Sequence, residues 1–118
     1  MLKHAQRLDI KNPGKIKILA VPEIIAPTDQ LLRKACIQTN FLFPNMAGLT
    51  LGYGIYVVAS YLKDQSLLVH ELVHVSQYEA LGGINNFLKR YIPELVKFGY
   101  DNAPLEIEAR KKTGDLLA

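Results

Sequence analysis

Residues 67–81 predict one long helix whose apolar side chains point in every direction around its axis. Asp64 or Ser66 can cap its N-terminus, and Gly82 followed by Gly83 supplies the left-handed conformation with which many helices end. A helix on the surface of a protein keeps its apolar residues on one side, so a helix that is apolar all round is surrounded by protein. The sequence therefore predicts a fold built around this helix.

The length and composition of the chain favour a single domain. A chain of 118 residues with 49% hydrophobic residues buries roughly two-thirds of the surface that it exposes when unfolded, which is enough for one core. We therefore expect one compact domain over residues 1–118. Cys36 is the single cysteine, so an internal disulfide and a cysteine-rich metal site are both excluded.

The chain is weakly basic and has no segment of membrane-spanning length. Its formal net charge is +3, and the basic residues near its start have no aromatic residues between them for base stacking, so we expect no nucleic-acid partner. Prolines and charged residues interrupt every apolar stretch, which predicts no transmembrane segment. The first residues lack the apolar centre of a signal peptide, so the default expectation is a cytoplasmic protein.

Short apolar segments separated by turn residues precede the central helix. We expect a short helix over Leu2 to Asp9, and the alternation in residues 16–20 fits either a strand or a helical turn. A further helix is expected from residues 27–30 to Asn40, followed by Phe41 to Phe43 and a turn. Residues 48–58 are rich in β-branched and aromatic residues and predict two short antiparallel strands around a glycine bend.

The region after the central helix predicts further helices. Helical segments are expected between Asn85 and Gly99, with Pro93 in a first helical turn, and a last helix over residues 104–112 ends at Gly114. Together these elements predict an α+β domain in which a small, mostly antiparallel sheet packs on the central helix.

His70, Glu71 and His74 form an HExxH motif in the middle of the predicted central helix. Residues four apart lie on one helix face, so both imidazoles can bind one tetrahedral metal ion at about 2.0–2.1 Å. Glu71 lies about 100° around the axis, where it can reach a metal-bound water without binding the metal. The alternative is a pair of core histidines that are hydrogen bonded to backbone or water.

A catalytic zinc ion usually has three protein ligands and one open position, so a third ligand is needed. The longer HExxHxxGxxH motif is absent, since Gln77 and Ala80 stand where it has its glycine and third histidine. His4 lies near the start of the chain, and we expect it on the surface. The third ligand is then a carboxylate, and the downstream candidates are Glu79, Glu94, Asp101, Glu106 and Glu108.

Glu106 fits the role of third ligand best. Glu79 falls on a different helix face from the histidines, and Glu106 and Glu108 project about 200° apart, so only one of these two can point at the ion. Glu106 shares its face with Ala109, whose small side chain allows close packing of the last helix on the central one.

The two motifs together resemble the gluzincin group of zinc metallopeptidases. His70-Glu71-x-x-His74 is followed, 32 residues after His74, by Glu106 in a Glu-x-x-Ala pattern on a second helix. The short chain is similar to the smallest members of that group, the minigluzincins, and the resemblance covers residues 48–110. It implies a zincin-like fold in which His70, His74 and Glu106 bind one Zn²⁺ and Glu71 is the general base and acid.

The resemblance also implies a substrate and a place for it to bind. The substrate would be a peptide or an unfolded protein, which pairs along the strand from Ile55 to Val58. Arg110 departs from the pattern, because many relatives have an acidic residue there that hydrogen bonds a zinc-binding histidine. Three tyrosines are candidate donors to the oxyanion, and Tyr100, beside the last helix, is the first to consider; they are Tyr78, Tyr91 and Tyr100.

Two alternatives to an active peptidase stay open at this point. In the first, the metal joins two helices of a non-catalytic zincin-like module and no bond is cut. In the second, the peptidase is latent because residues 113–118 fold back into the cleft. Cleavage of an unstructured polypeptide that requires both Glu71 and the metal would separate the enzyme from the binding module.

Overall fold

The computed structural model describes residues 2–24 and 46–118. The helices within these ranges are α1 (Leu2–Arg7), α2 (Gln65–Leu81), α3 (Ile84–Phe98) and α4 (Pro104–Leu117), and the strands are β1 (Lys17–Val21), β2 (Gly48–Leu51) and β3 (Gly54–Val58). The arrangement is α+β, as predicted. The helix expected up to Asn40 and the segment from Phe41 to Phe43 lie outside the described residues.

The strands form one mixed sheet in the order β1-β3-β2. β2 and β3 are antiparallel, with Thr50 opposite Ile55, and Gly52 has a φ of 61° in the turn between them, which glycine adopts without strain. β1 runs parallel to β3, with Lys17 beside Gly54. The predicted hairpin is confirmed. The expectation of a mostly antiparallel sheet is wrong for β1, because a parallel partner lies far along the chain and no local turn sets its direction.

α2 is the central helix of the fold. The Asp64 carboxylate accepts a hydrogen bond from the Leu67 N–H at 3.0 Å, and Gly82 ends the helix with a φ of 88°, so the predicted ends are confirmed with Asp64 as the cap. Residues on several sides of α2 are at most 1% exposed; they are Val69, Leu72, Val73 and Val75. The helix is therefore enclosed by the sheet on one side and by α3 and α4 on the other.

The last two helices are longer than the sequence predicts. α3 is one continuous helix that contains Pro93, and α4 continues through Gly114 to Leu117. The predicted end at Gly114 is wrong, because burial of Thr113 and Leu116 outweighs the cost of a helical glycine, about 1 kcal/mol. The alternative in which residues 113–118 fold back into the cleft does not fit the structure, since residues 113–117 complete α4 and Arg7 Nη1 donates to the Leu116 carbonyl at 3.2 Å.

Two apolar clusters meet along α2. The first joins the sheet and α1 to α2 through Ala5, Ile10, Ile55, Val57, Leu72 and Val75. The second joins the C-terminal half of α2 to α3 and α4 through Tyr78, Phe87, Tyr91, Leu95, Ala103 and Leu105. The middle of α2, which carries the HExxH motif, lies between the two clusters. None of the helices in the described part of the chain combines the length and the hydropathy needed to cross a membrane.

Candidate metal centre

Two helices bring the three predicted metal ligands together. α2 presents His70 and His74 one turn apart, with their ring centroids 4.9 Å from each other. α4 presents Glu106, whose Oε1 lies 3.0 Å from His70 Nε2 and 3.1 Å from His74 Nε2. One possible ligand atom from each residue lies within 4.8 Å of the others, so the group could hold a metal ion.

The packing of α4 explains why Glu106 faces the histidines and Glu108 does not. Leu105 and Ala109 are 2% and 0% exposed, so this side of α4 packs into the core and carries Glu106 with it. The Glu106 side chain is 2% exposed, whereas that of Glu108 is 45% exposed. The separation of the two carboxylates around the helix axis is therefore the one that their spacing predicts.

The other candidate ligands have different partners. Glu94 accepts from the Leu105 N–H at 3.0 Å and so caps the first turn of α4. Glu79 accepts from the backbone N–H of Lys11 at 2.7 Å and from the Tyr53 hydroxyl at 2.5 Å, which ties α2 to the segment after α1. His4 lies on α1, is half-buried and is outside the group that could hold a metal.

The donor set fits zinc. Two imidazole nitrogens and one carboxylate oxygen are a common zinc set, and three protein ligands leave one of four tetrahedral positions open. The second carboxylate oxygen of Glu106 has its own partner, because the Tyr91 hydroxyl donates to Oε2 at 2.6 Å. This contact orients the carboxylate so that Oε1 faces both rings.

Glu106 and His74 shift each other's pKa in opposite directions. Burial of His74 lowers its pKa, but the hydrogen bond and negative charge of Glu106 outweigh this and raise it to about 9. Burial of Glu106 raises its pKa, and the hydrogen bonds from His70 and His74 outweigh burial and hold the pKa well below its usual range. Without a metal, His74 is therefore a protonated ring beside a carboxylate at neutral pH.

The raised pKa of His74 predicts that zinc binding releases a proton. The ion needs the neutral ring, so below a pH of about 9 each zinc ion displaces about one proton from His74. Zinc affinity should then increase by about tenfold per pH unit between pH 7.5 and 8.5. Calorimetric titration in buffers of different ionisation enthalpy measures this release, and a binding heat that is the same in all buffers would contradict it.

Gln77 contacts the candidate metal centre and was not predicted from the sequence. Its side-chain Oε1 lies 2.8 Å from His74 Nδ1, the ring nitrogen that faces away from Glu106. Arg110, at the position where an acidic partner was expected, donates instead to the backbone carbonyl of Asp101. Gln77, and not the residue at position 110, is therefore the hydrogen-bond partner of His74 Nδ1. The spacing of His74 and Gln77, three residues apart on one helix, is the signal that could have shown it.

Strand β2 holds the carboxylate of Glu71. The Thr50 hydroxyl donates to Glu71 Oε1 at 2.8 Å, and Glu71 is 5% exposed. Gly48 makes this approach possible, because a Cβ atom there would lie 3.2 Å from Glu71 Cγ and 3.2 Å from Leu67 Cδ1. Glu71 is outside the group that could hold a metal, as the helix geometry predicts.

The three candidate tyrosines have different contacts. Tyr91 supports Glu106, as described above. The Tyr78 hydroxyl donates to the backbone carbonyl of Thr50 at 3.0 Å, which fixes β2 against α2. Tyr100 lies in the wall of the cleft together with Glu71. Burial raises the pKa of all three phenols, so each stays protonated and can donate a hydrogen bond at neutral pH.

A cavity and a groove meet beside Glu71. The cavity has a volume of about 230 Å³, contains His74 and Glu106 in its wall, and is lined mainly by apolar residues of β2 and α3, among them Leu49, Leu51, Phe87, Leu88, Ile92 and Leu95. The groove, of about 760 Å³, contains His70 and Arg110 in its wall. Both share Met46, Gly48, Glu71 and Tyr100, so together they form a cleft across the HExxH motif.

The strand expected to receive a substrate is not accessible for pairing. β3, which contains Ile55 to Val58, is the central strand and pairs with β1 on one side and β2 on the other. That expectation is therefore wrong. Among the strands of the described ranges, β2 is the edge strand that borders the cleft, with Gly48 and Thr50 beside Glu71. The central position of β3 depends on its pairing with β1, and the sequence left open whether residues 16–20 form a strand or a helical turn.

Comparison with known proteins identifies no relative. No protein-family model matches the chain, and neither the curated proteins nor the solved structures contain a significant match.

Proposed function

We propose that this protein is a zinc-dependent metallopeptidase that hydrolyses peptide bonds. One observation carries the proposal: His70, His74 and Glu106 converge on a common point while Glu71, next to His70 in the chain, stands in the wall of the adjoining cleft. Two imidazoles, one carboxylate and a neighbouring second carboxylate are the parts that hydrolysis with a metal-activated water requires. We assign the chain to the gluzincin-like, zincin-fold peptidases on this ground and on its two motifs.

The proposed mechanism assigns a separate chemical role to each residue of the site. A zinc ion held by His70, His74 and Glu106 would polarise the scissile carbonyl and lower the pKa of a water towards roughly 7. Thr50 holds Oε1 of Glu71, which leaves Oε2 to take the proton of the attacking water and to pass it to the leaving amine. Tyr100, in the wall shared by cavity and groove, is the tyrosine that we assign to the oxyanion.

The shape of the cleft suggests how an extended chain binds. The edge of β2 offers backbone groups for pairing with a peptide, which gives affinity with little sequence preference. The cavity next to His74 suits one large apolar side chain, because its walls are mainly leucine, isoleucine and aromatic residues and its volume of about 230 Å³ is small. We therefore propose unfolded or locally extended polypeptides as substrates.

Digestion of an unstructured polypeptide tests the proposal. We expect the zinc-loaded protein to cut it next to large apolar residues, with a preference over glycine of at least about tenfold in kcat/KM. A chelator should abolish cutting, and added zinc should restore it. Mass spectrometry of the fragments identifies the cleaved bonds, and cutting that survives chelation would contradict the proposal.

Zinc binding without cutting would favour a different function. Because the three ligands come from α2 and α4, a bound ion would join these helices even if no reaction followed. A protein that binds one zinc ion, gains stability and leaves every polypeptide intact would be a zincin-like binding module.

A further inference from the structure

We infer that Gln77 is a positioning residue through which α4 sets the ring of His74 for metal binding. The inference rests on the proposed metal site and extends it. Gln77 is 4% exposed and lies on α2. Its Oε1 lies 2.8 Å from His74 Nδ1, while its Nε2 donates to the Leu105 carbonyl at 2.9 Å and to Glu108 Oε1 at 3.0 Å.

The two contacts on α4 determine which way the Gln77 amide faces. The Leu105 carbonyl oxygen and the Glu108 carboxylate oxygen both accept hydrogen bonds, so they require the NH₂ end of the amide. The carbonyl end must then face His74. Since that oxygen can only accept, His74 Nδ1 must carry a hydrogen.

When a metal ion takes the place of the hydrogen on Nε2, the orientation of the amide keeps the other hydrogen of the His74 ring on Nδ1. With the hydrogen on Nδ1, the lone pair is on Nε2, the nitrogen that lies 3.1 Å from Glu106 Oε1. The other tautomer would present an N–H to the ion and could not bind it. α4 therefore contributes to the metal centre directly through Glu106 and indirectly through Leu105, Glu108 and the Gln77 amide.

The same contacts explain why a glutamine is buried at this position. An amide inside an apolar environment is unfavourable unless each of its ends is hydrogen bonded. Here both ends have partners, and these partners lie on the two helices that carry the ligands. An apolar side chain of similar size could fill the space, but it could not distinguish the two nitrogens of His74.

Three variants test the inference. Gln77→Met keeps the size of the side chain and removes the three contacts. Glu108→Ala removes one contact at a half-exposed position on α4 and so tests the network without altering the core. Gln65→Met, in the exposed first turn of α2, is the matched control. Long-range ¹H–¹⁵N spectra report which ring nitrogen of His74 carries a hydrogen in the zinc-loaded protein and whether Nδ1–H is hydrogen bonded in the metal-free protein near neutral pH, and competition with a chromophoric chelator reports zinc affinity.

We expect His74 of the zinc-loaded wild type and of Gln65→Met to carry its hydrogen on Nδ1 and to bind the ion through Nε2, and the metal-free forms near neutral pH to show a hydrogen-bonded Nδ1–H signal. Gln77→Met should lose that signal and bind zinc about ten- to a hundredfold more weakly, while its circular dichroism is unchanged. Glu108→Ala should bind zinc about two- to fivefold more weakly. An unchanged Nδ1–H signal in Gln77→Met would overturn the inference, and so would unchanged affinity in Glu108→Ala if the methionine variant does not fold. A wild type that binds no zinc would refute the proposed function, whereas the Nδ1–H signals of the metal-free proteins would still decide the role of Gln77.

Discussion

Replacing Glu71 by glutamine is expected to lower the rate of peptide hydrolysis by about three orders of magnitude while zinc binding is retained. The amide has the shape of the carboxylate and can still accept from the Thr50 hydroxyl, which lies 2.8 Å from Oε1 in the wild type. It cannot take a proton from water. Because Glu71 is not among the candidate metal ligands, the loss should appear in kcat at constant zinc content.

The matched control for this variant is Glu23→Gln. Glu23 is an exposed glutamate just after β1. The same change of charge there should leave kcat within about twofold of the wild type. Zinc content is measured for each preparation, so that a loss of metal is not mistaken for a loss of the base. If Glu71→Gln kept more than a tenth of the wild-type rate, Glu71 would not be the general base.

Replacing Glu106 by glutamine is expected to weaken zinc binding by more than about a hundredfold. Loss of a residue that only orients a ligand costs about ten- to a hundredfold in affinity, and loss of the anionic ligand itself should exceed this. The variant should still fold, because an amide oxygen can accept from the Tyr91 hydroxyl, which lies 2.6 Å from Oε2 in the wild type. Removal of the carboxylate charge also removes the main cause of the raised pKa of His74.

Thermal unfolding with and without zinc measures this loss. At a free zinc concentration of about one hundred times Kd, binding stabilises the wild type by about 2.7 kcal/mol. For a chain of this length that corresponds to a rise in Tm of roughly 10 °C. Glu106→Gln should show almost no rise at the same zinc concentration. A shift equal to that of the wild type would show that the ion binds elsewhere, and Glu23→Gln again serves as the control.

Local signals were sufficient to predict the central part of the fold. The cap at Asp64, the left-handed Gly82 and the all-round apolar pattern define α2, because each depends on residues within a few positions of one another. The parallel pairing of β1 with β3 could not be predicted in this way, since the two strands are separated by more than thirty residues. The end of α4 was missed because burial of Leu116, a tertiary effect, overrides the low helix propensity of Gly114.

The candidate site was predictable where helix periodicity decides the outcome. The spacing of His70 and His74 places both rings on one face, and the choice between Glu106 and Glu108 follows from their separation around the axis. The contact between Gln77 and His74 was not predicted, because Gln77 was compared only with the glycine of the longer HExxHxxGxxH motif. A polar residue on a helix that is otherwise apolar all round needs buried partners, and this requirement indicates a role that the motif comparison does not.

The candidate metal ligands lie on helices that are not neighbours in the chain. His70 and His74 leave the ribosome with α2, but Glu106 and the Gln77 partners Leu105 and Glu108 follow only after the whole of α3. A nascent polypeptide thus carries the HExxH motif for a period in which the group that could hold a metal is incomplete. Under the proposed function, peptide hydrolysis would begin only after α4 has emerged and docked.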